Sequence, residues 1–375
     1  MPWKECSTMS QRREFVTLAL LHDRTFTELC DAYGISTKTG YKWLSRHREQ
    51  GLAGLEDRSR RPHDSPNRTP DSMEQTILAL RAQHPAWGGR KLRRRLLDLG
   101  HVRLPAVSTI TEILRRNGQI HPEESAKRQA WHRFEHDTPN ALWQMDFKGD
   151  FPVETGERCY PLTVLDDHSR FSVGLQACPD QRAATVQPAL TEIFRCYGLP
   201  EALIMDNGPP WGHEGAFYTR FAAWLIRLGV TVSYSRPYHP QTLGKDERFH
   251  RTLKHEVLIR EPFRNLAHCQ QRFDHWREIY NHQRPHDSLR LQVPAARYRC
   301  SSRPFPEQLG PFDYGSEALV RKVQHNGEIS YRNRYVMVGR AFHGYPVALR
   351  YTDVDGMMDS YFCHQRIATL DVRTP

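Results

Sequence analysis

LWQMDFKGDF, residues 142–151, runs on to CYPLTVLDD at 159–167 and FSVGLQAC at 171–178, and this succession decides the fold. Each stretch is short, rich in β-branched and aromatic residues, and bounded by Gly, Pro or Asp, which predicts three successive strands. ALIMD at 202–206 and VTVSYS at 230–235 continue the series, while 181–197, 214–228, 240–259 and 265–281 carry helical periodicity. Strands interleaved with helices predict a mixed α/β layer over residues 140–300.

Upstream the pattern is entirely helical. SQRREFVTLALLHD places Phe15, Leu18, Ala19 and Leu21 on one stripe, and TFTELCDAYGISTKTGYKWLSRHRE follows. Small Cys30 permits close packing, Gly34 a left-handed turn, and Ile35 an insertion into the core, which is a helix-turn-helix arrangement. Over residues 8–50 the third helix would turn Thr37, Lys38, Thr39, Lys42 and Arg46 toward a major groove, with Trp43 and Leu44 inward. The Pro-, Arg- and Ser-rich segment 51–70 reads as a linker. Residues 71–120 repeat the helical theme as a second helix-turn-helix or winged-helix-like unit, whose last helix would offer Ser108, Thr109, Thr111 and Arg115 to DNA.

A polar connector at 121–139 leads into the α/β part, and 315–373 returns to strand patterning. Asn326-Gly327 and Asp355-Gly356 there are hairpin-turn signals, and a small β-barrel is the expected C-terminal fold.

The 375 residues suffice for several domains, and 53 Lys+Arg against 43 Asp+Glu leave a formal charge of +10, which favours a polyanionic partner. No apolar run approaches the roughly 20 residues that span a bilayer, and the opening MPWKECSTMSQRREF lacks a signal-peptide core. The eight cysteines form no CxxC pair, so neither a zinc ribbon nor a redox motif is indicated. A cytoplasmic, nucleoid-associated protein is expected, with double-stranded DNA as partner and no membrane.

Three acids stand in contexts that suit chemistry. Asp146 lies in the first strand of the α/β part, Asp206 ends ALIMD just before Asn207-Gly208, and Glu247 falls within HPQTLGKDERFHRTLKHEV, a helix expected to start after Pro240. An acid at the carboxyl end of a strand sits where α/β proteins place ligands. Two carboxylates about 4 Å apart repel by roughly 4 kcal/mol at an effective dielectric near 20, so a cation is needed between them. Oxygen-only donors with open positions suit Mg²⁺ or Mn²⁺, and two such ions serve both sides of a phosphoryl displacement. Asp150, Asp166, Asp167, Asp246 and Glu256 compete for these roles; such acids usually face solvent, and Asp166 is expected to fix the Ser169-Arg170 turn. His250, Arg251 and Lys254 share the Glu247 face and would meet a DNA backbone, with Lys245 and Arg248 on the same helix.

WQMDFKG, TVLDDHSRF, IMDNGPPW, RPYHPQTLGKDERFHRTLK and YNHQRPHDSL together resemble, in order and spacing, the integrase core of retroviral integrases and bacterial insertion-sequence transposases. The resemblance spans about residues 140–300 and implies a ribonuclease-H-like fold with an Asp-Asp-Glu triad holding two metal ions, which motif by motif falls on Asp146, Asp206 and Glu247. It also implies a transposase that binds terminal inverted repeats, cuts the element's ends with metal-activated water and joins the freed 3′-OH to target DNA, working as a homodimer or higher multimer. The retroviral His-His-Cys-Cys zinc module is missing, which sets the chain with the bacterial members. The block reads DNGPPW where many relatives have Ser after DNG. Asn281, Arg284, Pro285 and His286 match a block that closes the core and read as mainly structural, with phosphate binding by the Arg284 guanidinium as the alternative. Two other classes remain open: a helix-turn-helix regulator with a non-catalytic α/β part, and a nuclease that hydrolyses without joining.

Overall fold

The computed structural model describes residues 7–58, 68–120, 136–212, 218–235, 244–316 and 318–373. Most of the connector, much of the linker, and the helix start expected just after Pro240 lie outside the described residues. The chain divides into two compact units, Met1–Arg68 and Thr69–Pro375.

In the first unit, α1 (Thr8–Leu21), α2 (Phe26–Ala32) and α3 (Thr37–Gln50) enclose Phe15, Val16, Leu29, Cys30, Trp43, Leu44 and Leu55. Thr25 and Glu28 form a reciprocal capping box on α2, satisfying donors that a helix start otherwise leaves open. Gly34 adopts φ +63° in the α2–α3 turn. Gly40 is more demanding, because a Cβ there would lie 2.6 Å from Cys30 Sγ and 3.0 Å from atoms of Phe15 and Phe26. Close packing of α2 on α3 therefore depends on Gly40 as much as on Cys30. Gly40→Ala is expected to cost this unit about 1–2 kcal/mol, overpacking exceeding the gain in helix propensity; a thermal midpoint at or above wild type would contradict this.

The second unit opens with α4 (Asp71–Gln83), α5 (Gly89–Asp98) and α6 (Val107–Arg116), which bury Ile77, Trp87, Leu92, Leu96, Ile110 and Leu114. The mixed sheet follows. Strands β1 (Leu142–Phe147), β3 (Arg158–Asp166) and β4 (Ser172–Cys178) are antiparallel, with short β2 (Phe151–Pro152) on β3. On the other side of β1, β5 (Ala202–Met205) and β6 (Thr231–Tyr234) run parallel to it. Helices α7 (Ala183–Tyr197) and α8 (Arg220–Arg227) contribute to one apolar cluster, while α9 (Gly244–Leu253) and α10 (Leu266–His282) contribute to another. Asn281 locks α10 to β4 by accepting from Ser172 N at 2.9 Å and donating to Ser172 O at 3.0 Å.

The C-terminal part does not close into the expected barrel. β7 (Leu319–Lys322), β10 (Pro346–Tyr351), β11 (Met357–Phe362) and β12 (Gln365–Asp371) form an open antiparallel sheet, and β8 (Glu328–Tyr331) pairs with β9 (Arg334–Met337) as a separate hairpin. Asp355-Gly356 does join the paired strands β10 and β11. Asn326-Gly327 instead links strands of different sheets, and the tight hairpin turn is Arg332-Asn333, with φ +49° and +62°. Gln365 ties this part to the mixed sheet: its amide accepts from Val232 N and donates to Val232 O, both at 2.8 Å. Among the described residues no helix is long and apolar enough to cross a membrane.

Candidate active site

The parallel pairing of β1 with β5 matches Leu142 with Ala202 and Gln144 with Ile204. Carried two residues further, the same register sets Asp146 beside Asp206 at the carboxyl ends of adjacent strands. Hydrophobic neighbours on both strands, Met145, Phe147 and Met205 among them, are buried and fix the two backbones. Asp146 Oδ1 accepts from Phe147 N at 2.7 Å. Asp206 Oδ1 accepts from Gly208 N at 3.0 Å and from the Trp211 indole N–H.

Glu247, on the first turn of α9, is exposed and makes no side-chain hydrogen bond among the described residues. Its charge still reaches the strand ends. Burial first, then the neighbouring Asp206 and Glu247 carboxylates, push the Asp146 carboxyl up to about 6, with Phe147 N and Lys148 opposing only in part. The three acids from β1, β5 and α9 thus form one electrostatically coupled group.

The competing acids are committed elsewhere. Asp150 pairs with Arg158. Asp166 Oδ2 accepts from Ser169 N at 2.7 Å and Oδ1 from Asn140 N at 2.7 Å, fixing the turn as expected. Asp167 accepts from His136 N and Gln144 Nε2 and pairs with Lys245. Glu256 is held by Arg284 at 2.9 Å and by the Trp276 indole at 3.0 Å, a nearly buried ion pair that uses the guanidinium otherwise available to phosphate.

Asp246 behaves unlike a surface acid. It is fully buried, one residue before exposed Glu247, and with Asp146 and His250 it offers ligand atoms within 4.8 Å of one another. The Thr163 hydroxyl on β3 lies 2.9 Å from Asp246 Oδ2, 2.8 Å from His250 Nε2 and 2.9 Å from the Asp146 carbonyl. Burial raises the Asp246 carboxyl well above its ordinary range, and lowers His250 to about 3, so the imidazole is neutral. The cluster is rich in cation ligands, yet Asp246 and His250 already share one hydroxyl beneath the strand ends. We read it as the floor on which Asp146 rests.

Several DNA-facing expectations are displaced. His250 points into the core rather than along the exposed face of Arg251 and Lys254, and Lys245 is mostly buried against Asp167. Arg248, Arg251 and Lys254 are exposed. Thr37, Lys38 and Lys42 are exposed on α3, whereas Thr39 belongs to the Ser36 cap and Arg46 is half-buried, 5.2 Å from the Trp43 ring centre. On α6, Ser108 and Thr109 are exposed and Arg115 pairs with Glu112, but Thr111 turns inward, its hydroxyl donating to Val107 O at 2.9 Å. Sequence reading set Asp246 among acids that face solvent and His250 on the DNA face, and it missed Thr163 and Trp211; the only signal was Asp246 and His250 at i and i+4, one helical face.

Family comparisons agree with this architecture. Two families described as Integrase core domain match residues 136–240 and 228–294. A Helix-turn-helix domain family matches 11–63, a Homeodomain-like domain family 39–114, and the IS481 family transposase C-terminal domain 318–375. The chain is 30% identical over 167 residues to an insertion element IS407 protein of 31.7 kDa from Burkholderia multivorans, a match covering 44% of this chain and 58% of that one. It is 27% identical over 267 residues to an insertion element IS476 protein of 39.2 kDa from Xanthomonas euvesicatoria, covering 69% and 74%. Against the HTLV-2 integrase catalytic core domain solved with magnesium, the TM-score is 0.34 at 14% identity, over 44% of this chain and 99% of that one.

Proposed function

We propose that this chain is a bacterial insertion-sequence transposase of the DDE superfamily, which binds the terminal inverted repeats of a mobile element, cuts the DNA there and joins the freed 3′-OH to target DNA. The observation that carries this reading is the β1–β5 register that sets Asp146 beside Asp206 at the strand ends, with the Asp206 and Glu247 charges adding to burial in raising the Asp146 carboxyl. Every competing acid has a hydrogen-bonded or ionic partner of its own.

Three oxygen donors, coupled and short of positive charge, fit hard divalent cations such as Mg²⁺ or Mn²⁺. Bound there, a pair of such ions supplies activation of the attacking oxygen and stabilisation of the departing one. The chain's own residues do the rest. Asp146 and Asp206 would hold such ions from the adjacent ends of β1 and β5, and exposed Glu247 would complete the set from α9. Thr163, Asp246 and His250 buttress Asp146 from below. Arg248, Arg251 and Lys254, exposed on or next to α9, would engage DNA phosphates. The helical units at 8–50 and 71–120 would read the element's end, with Thr37, Lys38, Lys42, Ser108 and Thr109 as base- or phosphate-contacting candidates. Concerted joining of two ends calls for a homodimer or higher multimer on DNA.

The test mixes the full chain with a labelled duplex carrying the element's terminal sequence, target DNA, and Mg²⁺ or Mn²⁺. Metal-dependent cutting at the end followed by joined products is expected. Specific binding with no cutting would establish a regulator instead, and cutting without joining from a pre-cut end a simple nuclease.

A further inference from the structure

Trp211 ends the DNGPPW turn and is almost completely buried, yet its one polar side-chain atom is turned onto Asp206. The loop that carries it is tight: Gly212 N donates to Gly208 O at 2.8 Å, and a Cβ on Gly212 would lie 2.3 Å from Asn207 O. The Trp211 carbonyl accepts from Tyr234 on β6 at 2.9 Å and from Thr219 before α8 at 3.2 Å. Its ring stacks on Phe147, the residue after Asp146, with centroids 5.3 Å apart and planes 12° from parallel. The Trp211 backbone is therefore anchored to β6 and to the residue before α8, and its ring to β1, before the indole reaches the carboxylate.

We propose that Trp211 is a positioning residue for the metal site, its indole N–H fixing the Asp206 carboxylate so that one oxygen is held and the other is presented to a cation. This rests on the reading of Asp206 as a metal ligand. A buried indole finds a partner for its N–H, and core packing alone would be met by any backbone carbonyl. Here the partner is the candidate ligand itself, and the stacking partner is the next residue along from the other one. Groups that orient a ligand in this way set how tightly the metal is held, and activity with it.

Mn²⁺ binding to the full chain, followed by calorimetry and by quenching of tryptophan emission, tests the idea with Trp211→Phe and Asp206→Asn. Trp211→Phe keeps a stacking ring and removes the donor. It is expected to weaken Mn²⁺ binding about 10- to 100-fold and to remove the part of the quenching that arises from an indole touching a ligand. Phe147→Leu, which disturbs the stack but leaves the N–H, is expected to weaken binding less and to keep that quenching. Circular dichroism confirms folding of each variant. Wild-type Mn²⁺ affinity in Trp211→Phe, with affinity lost in Asp206→Asn, would overturn the inference alone. Unchanged affinity in Asp206→Asn would overturn the metal-site reading beneath it.

Discussion

Asp206→Asn and Glu247→Gln are each expected to lower metal-dependent strand cutting about 10³-fold or more while leaving binding to the element's ends intact. A metal-held transition-state charge is worth several kcal/mol, and each 1.36 kcal/mol is tenfold in rate. Neither change should disturb the fold. The amide that replaces the Asp206 carboxylate retains an oxygen for the Gly208 N–H and the Trp211 indole, and Glu247 is exposed, where substitutions usually shift stability by under about 0.5 kcal/mol. Asp246 is the informative contrast. A fully buried carboxyl bonded to Thr163 supports the strand, so Asp246→Leu should lower thermal stability and activity together. Cutting in Asp206→Asn or Glu247→Gln within tenfold of wild type would remove that residue from the site.

Thermal stability should depend on pH and on metal together. The Asp146 carboxyl titrates at about 6 in the folded chain against an ordinary 3.8. The folded state therefore holds this proton more tightly than the unfolded one. Its contribution to stability is full below pH 3.8, falls as pH rises through about 6, and stays lost above that. The difference is about 2 kcal/mol after discounting for partial exposure. Divalent cations bind the ionised carboxylate, so Mn²⁺ should raise the melting temperature more at pH 7.5 than at pH 5, by about 5 °C for a unit of this size. Asp146→Asn should raise the midpoint of the metal-free protein at pH 7.5 and abolish the Mn²⁺ response. An equal Mn²⁺ response at both pH values would refute the account.

Much of this was legible in the sequence because it is local. Strand runs such as CYPLTVLDD and the Gly34 turn after α2 follow from nearest-neighbour chemistry, and Asp206 before Asn207-Gly208 advertises a strand end. What was hidden depends on partners far along the chain. Nothing in KDERFH says that Asp246 is buried and Glu247 exposed; that follows from where β3 brings Thr163, more than eighty positions earlier. Lys245 and Thr111 read as surface residues because Asp167 and Gly89, which take them inward, are invisible to periodicity. The C-terminal strands carried hairpin chemistry at Asn326-Gly327, but sheet membership was decided by β7 pairing with β10 instead. That long-range choice, not the turns, leaves the sheets open.

The Gln365 side chain has a role that outlasts its two hydrogen bonds. β6 is the outermost strand on its side of the catalytic sheet, and an outermost strand with open backbone groups is a template for any stray chain. By filling the donor and acceptor of Val232, Gln365 makes the C-terminal part a guard against sticky edge-to-edge growth. A shortened protein ending near residue 300 would keep every acid of the site and lose that guard, so the excised core should self-associate where the whole chain stays dispersed.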